Sequence, residues 1–291
     1  MTKILVTGAN GQLGLSLADI ASTYSEMQFI FADKRMLDIT DTTQLRHFIQ
    51  THHPDYIINT AAYTAVDDAE KHPQSAMLIN ATSVGELGKI CAAENIPIVH
   101  ISSDYVYHPK HDTPMDEMQK TTPIGVYAKS KLAGEQRLIQ SGAPAIITRS
   151  SWIYSEHGSN FVKTIIRLAK NTNELSIVND QIGTPTYARD LAKAILDIIG
   201  HSMTNKIVWT GEIYNYCNEG YTNWADFARF FLNEMNIQTK IRSIPSEEYP
   251  TAAERPKNSR MQLDKIKETW QLSIRHWQVA CREMLSALKS L

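Results

Sequence analysis

A tyrosine and a lysine lie four residues apart in the segment VYAKSKLAGE, which otherwise has an ordinary helical sequence. Residues at positions i and i+4 share one face of a helix, so Tyr127 and Lys131 should lie side by side. A free tyrosine has a pKa of about 10 and is a poor acid near neutral pH. Lys131 is expected to lower the pKa of Tyr127, because a nearby ammonium favours the phenolate, and so to suit it for general acid–base catalysis.

A hydroxyl-rich segment, HISSDY, precedes this pair. A serine hydroxyl from it, aimed at the substrate oxygen that Tyr127 protonates, would polarise that oxygen. Thr122 and Pro123 are expected to start the helix, as a cap and as its first residue. Pairs of tyrosine and lysine also occur by chance on helix surfaces, so the function depends on the rest of the chain.

The segment TGANGQLG carries three glycines at a predicted strand-to-helix turn: Gly8, Gly11 and Gly14. They allow a tight turn, close approach of the backbone to a pyrophosphate and close packing of the helix on the sheet. The N–H groups at the helix start would bind the phosphates, with Gln12 and Leu13 also in contact with the cofactor. The spacing is GxxGxxG rather than GxGxxG, and the alternative is a glycine-rich turn without a cofactor.

The second predicted strand ends at Asp33, where a carboxylate commonly accepts hydrogen bonds from the adenosine ribose of NAD. Lys34 and Arg35 follow directly and could bind the 2′-phosphate of NADP. We therefore expect the protein to use NADPH or NADH. Asp38 and Ile39 are expected to flank the adenine. The alternative for Asp33 is a turn or helix-cap residue.

These segments are positioned by strands and helices that alternate along the first half of the chain. The strands are nearly continuous apolar runs, which are typical of a parallel sheet covered on both faces. We predict an α/β fold with a Rossmann-like, doubly wound parallel sheet, in which ligands bind beyond the carboxyl ends of the strands. Residues 1–150 would form the NAD(P)-binding domain. Residues 151–291 would form a smaller, mixed substrate-binding domain, with segments that return to the sheet.

Composition excludes several classes of protein. The chain has 291 residues, a formal charge of -2 and 43% hydrophobic residues, which indicates a globular protein without a nucleic-acid partner. It has no run of about 18 apolar residues, so no membrane partner is expected. Three widely spaced cysteines form no disulfide pattern, and the N-terminus has no signal-peptide pattern, which together favour the cytoplasm.

The motifs TGANGQLG, SSDY and YAKSK resemble those of the extended short-chain dehydrogenase/reductase family. Further segments, among them RSSWIY, VNDQIGTPT and RPKNSR, extend the similarity to the sugar-nucleotide reductases of that family, up to about residue 285. The resemblance implies that Ser103, Tyr127 and Lys131 are catalytic, with Lys131 also binding the cofactor ribose. It implies reduction of the C4 ketone of a 4-keto-6-deoxyhexose held on dTDP. Ser103 stands where these reductases usually have threonine, and the hydroxyl is retained.

The resemblance also implies a sugar-nucleotide site. Asp104, Tyr105 and Trp152 would join Ser103 and Tyr127 in contacting the substrate, although Trp152 could instead be a core residue. The loop YPTAAERPKNSR is predicted to bind a nucleotide diphosphate through Arg255 and Asn258, because arginine binds phosphate in bidentate fashion. The alternative is a simple surface loop. Three residues of the third crossover loop would line the cofactor: Ala62, Tyr63 and Thr64.

Other conspicuous residues are expected to be structural. Trp224 is assigned to core or interface packing, and the charges of KSKLAGEQR other than Lys131 to solvent. The close histidine pairs lack convergent ligands, so no metal site is predicted at them: His52–His53 and His108/His111. Some of the similar reductases dimerise through carboxylates that share a metal ion. Ser16 and Arg189 stand at two of the matching positions, so a metal-bridged dimer is not expected, and the protein is a monomer or a homodimer.

Two other functions stay open. One is another sugar-nucleotide enzyme of the same fold, an epimerase or a dehydratase. Dehydratases resemble one another in an acidic pair after the catalytic hydroxyl, whereas here Asp104 is followed by Tyr105. The other is a non-catalytic regulatory subunit of the kind that serves methionine adenosyltransferase, which resembles the reductases closely.

Overall fold

The computed structural model describes residues 1–109 and 111–290. In chain order its strands are β1 (Thr2–Thr7), β2 (Met27–Ala32), β3 (Tyr56–Asn59), β4 (Ile98–Ser103), β5 (Ala145–Ser150), β6 (Ile153–Tyr154), β7 (Glu174–Val178), β8 (Ile182–Gly183), β9 (Thr186–Tyr187), β10 (Glu212–Tyr216), β11 (Thr222–Asn223) and β12 (Lys240–Ile244).

The α-helices are α1 (Gln12–Ile20), α2 (Thr42–His52), α3 (Val66–Lys71), α4 (Pro73–Met77), α5 (Ser83–Glu94), α6 (Gly125–Gln140), α7 (Phe161–Ala169), α8 (Ala188–Asn205), α9 (Trp224–Glu234), α10 (Asp264–Trp270) and α11 (Trp277–Lys289). A π-helical turn at Leu78–Thr82 joins α4 to α5. Among the described residues, no helix combines the length and the apolar character needed to span a bilayer.

A six-stranded sheet in the order β10-β5-β4-β3-β1-β2 forms the centre of the molecule, and every neighbouring pair in it is parallel. Alternation along β1 places Ile4 and Val6 in one hydrophobic cluster and Leu5 in another. The first cluster includes residues of α1, α8 and α10, and the second includes residues of α2 and α5. The sheet is therefore covered on both faces, and the predicted doubly wound α/β fold is confirmed.

The second half of the chain combines its own layer with a return to the sheet. β10 pairs with β5, and α8 packs on α1. The remaining short strands pair as β6 with β9, β8 with β11 and β7 with β12. A third hydrophobic cluster, which contains Tyr154, Phe227 and Trp277, joins residues of α7, α9 and α11. The division at residue 150 stays a prediction.

The helix that carries Tyr127 begins later than expected. α6 starts at Gly125, and its N-cap residue Ile124 makes no side-chain cap. Thr122 does not cap the helix, because its hydroxyl donates to the carbonyl of Tyr107. Glu70 Oε1 instead accepts a hydrogen bond from Val126 N at 2.7 Å. The predicted cap is therefore wrong, and a distant carboxylate stabilises the helix start.

Candidate active site

A cavity of about 900 Å³ lies at the carboxyl ends of β1, β3, β4 and β5. Most of the predicted site residues line it: Gly8, Gly11, Gln12, Leu13, Asp38, Ile39, Ala62, Thr64, Ser103, Asp104, Tyr105, Tyr127, Lys131, Trp152 and Arg255. Gly14, Asp33, Tyr63 and Asn258 are not among the residues that line it. The structure therefore brings the predicted cofactor and substrate residues together in one space.

Three elements position the proposed catalytic groups. Ser103 ends β4, and its hydroxyl donates to Asp104 Oδ1 at 2.9 Å and accepts from Tyr105 N at 3.2 Å. Tyr127 and Lys131 lie one turn apart on α6, where Lys131 is buried and Tyr127 is half-buried. The ammonium of Lys131 donates to the carbonyl of Ile101 at 2.6 Å. The hydroxyl, the phenol and the ammonium thus line the same cavity.

Burial dominates the titration of the two helix residues. Burial raises the pKa of Tyr127 to about 12, whereas a hydrogen bond with Ser103 lowers it by a smaller amount. Burial lowers the pKa of Lys131 to about 8, whereas the negative charge of Glu135 raises it by a smaller amount. Lys131 is not among the groups that shift the pKa of Tyr127, so the expected lowering by the lysine does not occur in this structure. The phenol is instead kept protonated at neutral pH, as a proton donor must be.

Asp104 is a second unusual acid in the cavity. Burial raises its pKa to about 6, although the hydrogen bond from Ser103 favours the ionised form. Its Oδ2 atom is buried and has no hydrogen-bond partner among the described residues. Buried acceptors are nearly always paired, so this oxygen is suited to accept a hydrogen bond from a bound ligand.

A buried ion pair lies beneath the site, and the sequence analysis missed it. Arg149 donates to Glu135 in bidentate fashion, with Nε–Oε1 and Nη2–Oε2 distances of 2.9 and 2.6 Å. Ser102 also donates to Glu135, at 2.5 Å. The assignment of Glu135 to solvent is wrong, because only 1% of this residue is exposed. Its spacing of four residues from Lys131 was the available signal, since it puts both on one face of α6.

The glycine turn has the shape of a phosphate cradle. Gly8 has a φ of +67°, and a Cβ there would lie 2.6 Å from Ala61 N. Gly11 precedes α1 as its N-cap without a side-chain cap, so no side chain caps the first N–H groups of the helix, and Gly11, Gln12 and Leu13 line the cavity there. Gly14 is buried within α1. Gln12 accepts hydrogen bonds from the loop that follows β6, so its oxygen ties the two halves together. The turn fits the phosphates of a dinucleotide.

Asp33 makes the contacts of a turn residue. Its Oδ1 accepts from the N–H groups of Arg35 and Met36, and its Oδ2 accepts from Asn10 Nδ2 at 2.8 Å. These contacts, led by that of Met36, hold its pKa below the usual value. Lys34 lines the cavity, whereas Asp33 is not among its lining residues. The ribose contact of Asp33 stays a prediction.

Tyr63 and Asp38 also have local partners. The Tyr63 hydroxyl donates to Asp68, and the Tyr63 backbone is held by Asn80. Asp38 Oδ1 accepts from the backbone and the hydroxyl of Thr40. Ala62 and Thr64, on either side of Tyr63, line the cavity.

The proline-rich loop places its two predicted ligands in different surroundings. Arg255 reaches the cavity, but its guanidinium is held by Asp67 through hydrogen bonds of 2.8 and 2.5 Å. Asn258 is buried and donates to the carbonyls of His111 and Thr113. It lines an adjoining cavity of about 640 Å³ that Arg255 also borders. In this structure Asn258 secures a loop, and its contact with the substrate stays a prediction.

Trp152 follows the end of β5 and lines the cavity. Its backbone has an unusual conformation, with a φ of +47°. Its ring is stacked on Trp224, with a centroid distance of 3.7 Å and an interplanar angle of 15°. Trp224 lines the same cavity, so the sequence analysis missed it as a site residue. The helical pattern of α9 gave no sign that its first residue faces the cavity.

One group of potential metal ligands occurs among the described residues. Single ligand atoms of Asp19, Glu156 and His157 lie within 4.8 Å of one another. Arg189 is in the same group, with Nη2 at 3.2 Å from Asp19 and at 2.9 Å from Glu156. A cation of the chain therefore already offsets these carboxylates. The absence of a metal from the function stays a prediction.

Comparisons with known proteins agree with this arrangement. A dTDP-4-dehydrorhamnose reductase of Aggregatibacter actinomycetemcomitans is 37% identical over 290 residues, which cover 98% of both chains. The spore coat polysaccharide biosynthesis protein SpsK of Bacillus subtilis is 37% identical over 100% of this chain and 99% of its own. The crystal structure of a dTDP-4-dehydrorhamnose reductase of Bacillus anthracis in complex with NADP is 35% identical, with a TM-score of 0.93, and covers 99% of this chain and 100% of that one.

The model of one protein family, described as the RmlD substrate binding domain, matches residues 1–290. This match spans the glycine turn, the residues around Tyr127 and the proline-rich loop alike. With relatives of this identity over nearly their whole length, the chain belongs to the RmlD substrate binding domain family.

Proposed function

We propose that the protein is a dTDP-4-dehydrorhamnose reductase. It reduces the C4 ketone of dTDP-4-dehydro-6-deoxy-L-mannose with NADPH or NADH to give dTDP-L-rhamnose, for the biosynthesis of a cell-surface polysaccharide. The observation that carries the proposal is the convergence of Ser103, Tyr127 and Lys131 on a cavity that also contains the glycine turn. The names of the full-length relatives support the choice of substrate.

The chain's own groups supply the proton and its positioning. Tyr127 donates its phenolic proton to the C4 oxygen, because its raised pKa keeps it protonated at neutral pH. Ser103, whose hydroxyl must exchange Asp104 Oδ1 for the substrate, donates a hydrogen bond to the same oxygen and stabilises the charge that develops there. Lys131 binds the ribose hydroxyls of the cofactor and places its positive charge beside the phenol. Ketone, hydride and proton together give the C4 alcohol.

The cofactor is held by the turn that ends β1. Gly8 and Gly11 let the pyrophosphate approach the start of α1, and Ala62 and Thr64 line the cavity as well. When bound, the nicotinamide ring supplies a hydride to C4. Lys34 borders the cavity and suits the 2′-phosphate of NADPH, which supports the use of both cofactors.

The sugar nucleotide occupies the rest of the cavity. Asp104 Oδ2 accepts a hydrogen bond from a sugar hydroxyl, and Trp152 covers an apolar face of the deoxysugar. Tyr105 lines the same cavity and also contacts the sugar nucleotide. Arg255 binds the diphosphate, for which it must exchange Asp67 for phosphate oxygens. Asn258 secures the loop that carries Arg255.

One spectrophotometric assay tests the proposal. The purified protein is mixed with NADPH or NADH and dTDP-4-dehydrorhamnose, and the absorbance of the reduced nicotinamide is followed. We expect consumption of one cofactor per sugar and formation of dTDP-L-rhamnose. An epimerase or a dehydratase would return its cofactor unchanged, and a regulatory subunit would consume none. Either outcome would contradict the proposed reductase function.

Location and assembly stay predictions. The three cysteines are free and buried, which fits a reducing compartment such as the cytoplasm. The protein acts as a monomer or a homodimer on a dTDP-sugar, without nucleic acid or membrane as partner.

A further inference from the structure

Trp152 has a backbone conformation that its surroundings must enforce. A φ of +47° is in the left-handed region, which bulky side chains rarely adopt. Such residues persist where neighbouring structure over-determines them, and they concentrate at functional sites. The contacts of Trp152 therefore show what holds its ring in place.

Two neighbours from the second half of the chain define the position of this ring. Gly183 in β8 leaves the space for it, since a Cβ at that position would lie 2.9 Å from Trp152 Cζ2. Trp224 covers the ring in a nearly parallel stack with a centroid distance of 3.7 Å. The Trp152 carbonyl accepts a hydrogen bond from Thr186 N at 3.2 Å, which fixes the backbone.

Trp224 is itself firmly anchored. It is the first residue of α9, directly after Asn223, whose side chain caps the helix. Its indole N–H donates to Gln181 Oε1 at 3.1 Å, and Gln181 donates in turn to Ser246 at 3.0 Å. The ring of Phe161 lies 4.5 Å from that of Trp224 at a tilt of 56°. The Trp224 indole is therefore fixed by the hydrogen bond of its N–H group to Gln181 and by its contact with Phe161, independently of Trp152.

We infer that Trp224 is a positioning residue for Trp152 and that the two stacked indoles form one wall of the sugar pocket. This inference rests on the proposed function and extends it to a residue of α9. Both rings line the cavity that contains Tyr127, and Ser150, two residues before Trp152, is aligned with Ser103 in the sheet. An ordered apolar wall there would orient the deoxysugar without taking part in proton transfer.

The test uses three variants of the full chain. Trp224→Ala removes the support, Trp224→Phe keeps a ring but loses the N–H, and Gly183→Ala keeps both indoles but displaces Trp152. We expect KM for the sugar nucleotide to rise roughly threefold to tenfold for Trp224→Ala and Gly183→Ala, and less for Trp224→Phe. Because the wall binds substrate and transition state alike, kcat and the Kd for NADPH should change little.

A spectroscopic signal reports the stack independently of turnover. Two stacked indoles give an exciton couplet in far-ultraviolet circular dichroism, which Gly183→Ala should weaken although it removes no tryptophan. Trp209→Phe is the matched control, because Trp209 packs in the core against Tyr56, outside the residues that line the cavity. It should leave both the couplet and KM unchanged.

The outcomes separate the inference from the proposed function. If the wild-type protein does not reduce the sugar nucleotide, the proposed function is wrong. An active wild-type protein whose folded Trp224→Ala variant keeps its KM within about twofold would overturn the inference alone. If Trp224→Ala does not fold, a Gly183→Ala variant that loses the couplet but keeps the wild-type KM overturns it instead.

Discussion

Glu135 is the buried carboxylate beside Lys131, so its neutralisation should change the titration of the ammonium. The two groups are one helical turn apart, roughly 6 Å, and at an effective dielectric constant of about 20 their attraction is roughly 2–3 kcal/mol. That corresponds to about two pKa units. His100, another titratable group near Lys131, is neutral, because burial and the lysine charge hold its pKa well below the usual value. Glu135→Gln should therefore lower the pKa of Lys131 from about 8 to below neutrality.

The assay is the Kd for NADPH across neutral and mildly alkaline pH, followed by nicotinamide fluorescence. Wild-type binding should weaken as pH rises through about 8, where Lys131 loses its proton. In the variant the same weakening should begin about two pH units lower. Glu135→Gln also leaves the Arg149 guanidinium buried without a counter-charge, at a cost on the order of 3–5 kcal/mol. The double variant Glu135→Gln, Arg149→Met removes both charges and protects the fold.

Lys131→Met is the control that identifies the titrating group. It should bind NADPH weakly, and its Kd should be independent of pH in this range. If the folded Glu135→Gln variant kept the wild-type pH dependence, Glu135 would not support the ammonium. The buried pair would then serve only to join α6 to β5. The double variant removes a pair of opposite charges, so it should shift the titration less than Glu135→Gln alone.

Three further perturbations address two cavity residues, Tyr127 and Asp104, and the turn residue Asp33. Tyr127→Phe should lower kcat roughly 100-fold or more, with the Kd for NADPH within about twofold of wild type; full turnover would exclude Tyr127 as the acid. Burial raises the pKa of Asp104 from 3.8 to about 6, so the folded protein keeps a proton that the unfolded chain releases in this window, and stability falls as pH rises through it. Asp104→Asn should abolish that fall and stabilise the protein at neutral pH by about 3 kcal/mol, measured by thermal unfolding at several pH values. Asp33→Ala should raise the ratio of kcat/KM for NADPH to that for NADH, and an unchanged ratio would mean that the carboxylate faces away from the cofactor.

Features that depend on local pattern could be predicted from the sequence. Continuous apolar runs are typical of strands buried on both faces, and the carboxyl ends of parallel strands meet at one edge. Ser103 and Tyr127 therefore converge because each belongs to an element whose position follows from the alternation of strand and helix. The glycine turn is equally local, since Gly8 and Gly11 act through their own backbone.

Features that depend on long-range partners could not be predicted. Glu135 has the sequence context of a solvated helix charge, and it is buried because Arg149 of β5 neutralises it. Trp224 has the pattern of a core residue, and it lines the cavity beside Trp152, on which its ring is stacked. The predicted cap at Thr122 failed for the same reason, because the carboxylate that replaces it comes from Glu70.

The protonation state of Tyr127 bears on the direction of the reaction. An isolated pair with Lys131 would favour the phenolate, but burial outweighs this and places the pKa of Tyr127 at about 12. Donation of a proton to a ketone needs the phenol, whereas an epimerase or a dehydratase must first oxidise an alcohol and needs a base. The phenol is the form present at neutral pH, and it is the form that the proposed reduction requires. The hydrogen bond with Ser103 acts in the opposite direction, because it lowers the pKa of Tyr127, but burial outweighs it and the phenol stays protonated at neutral pH.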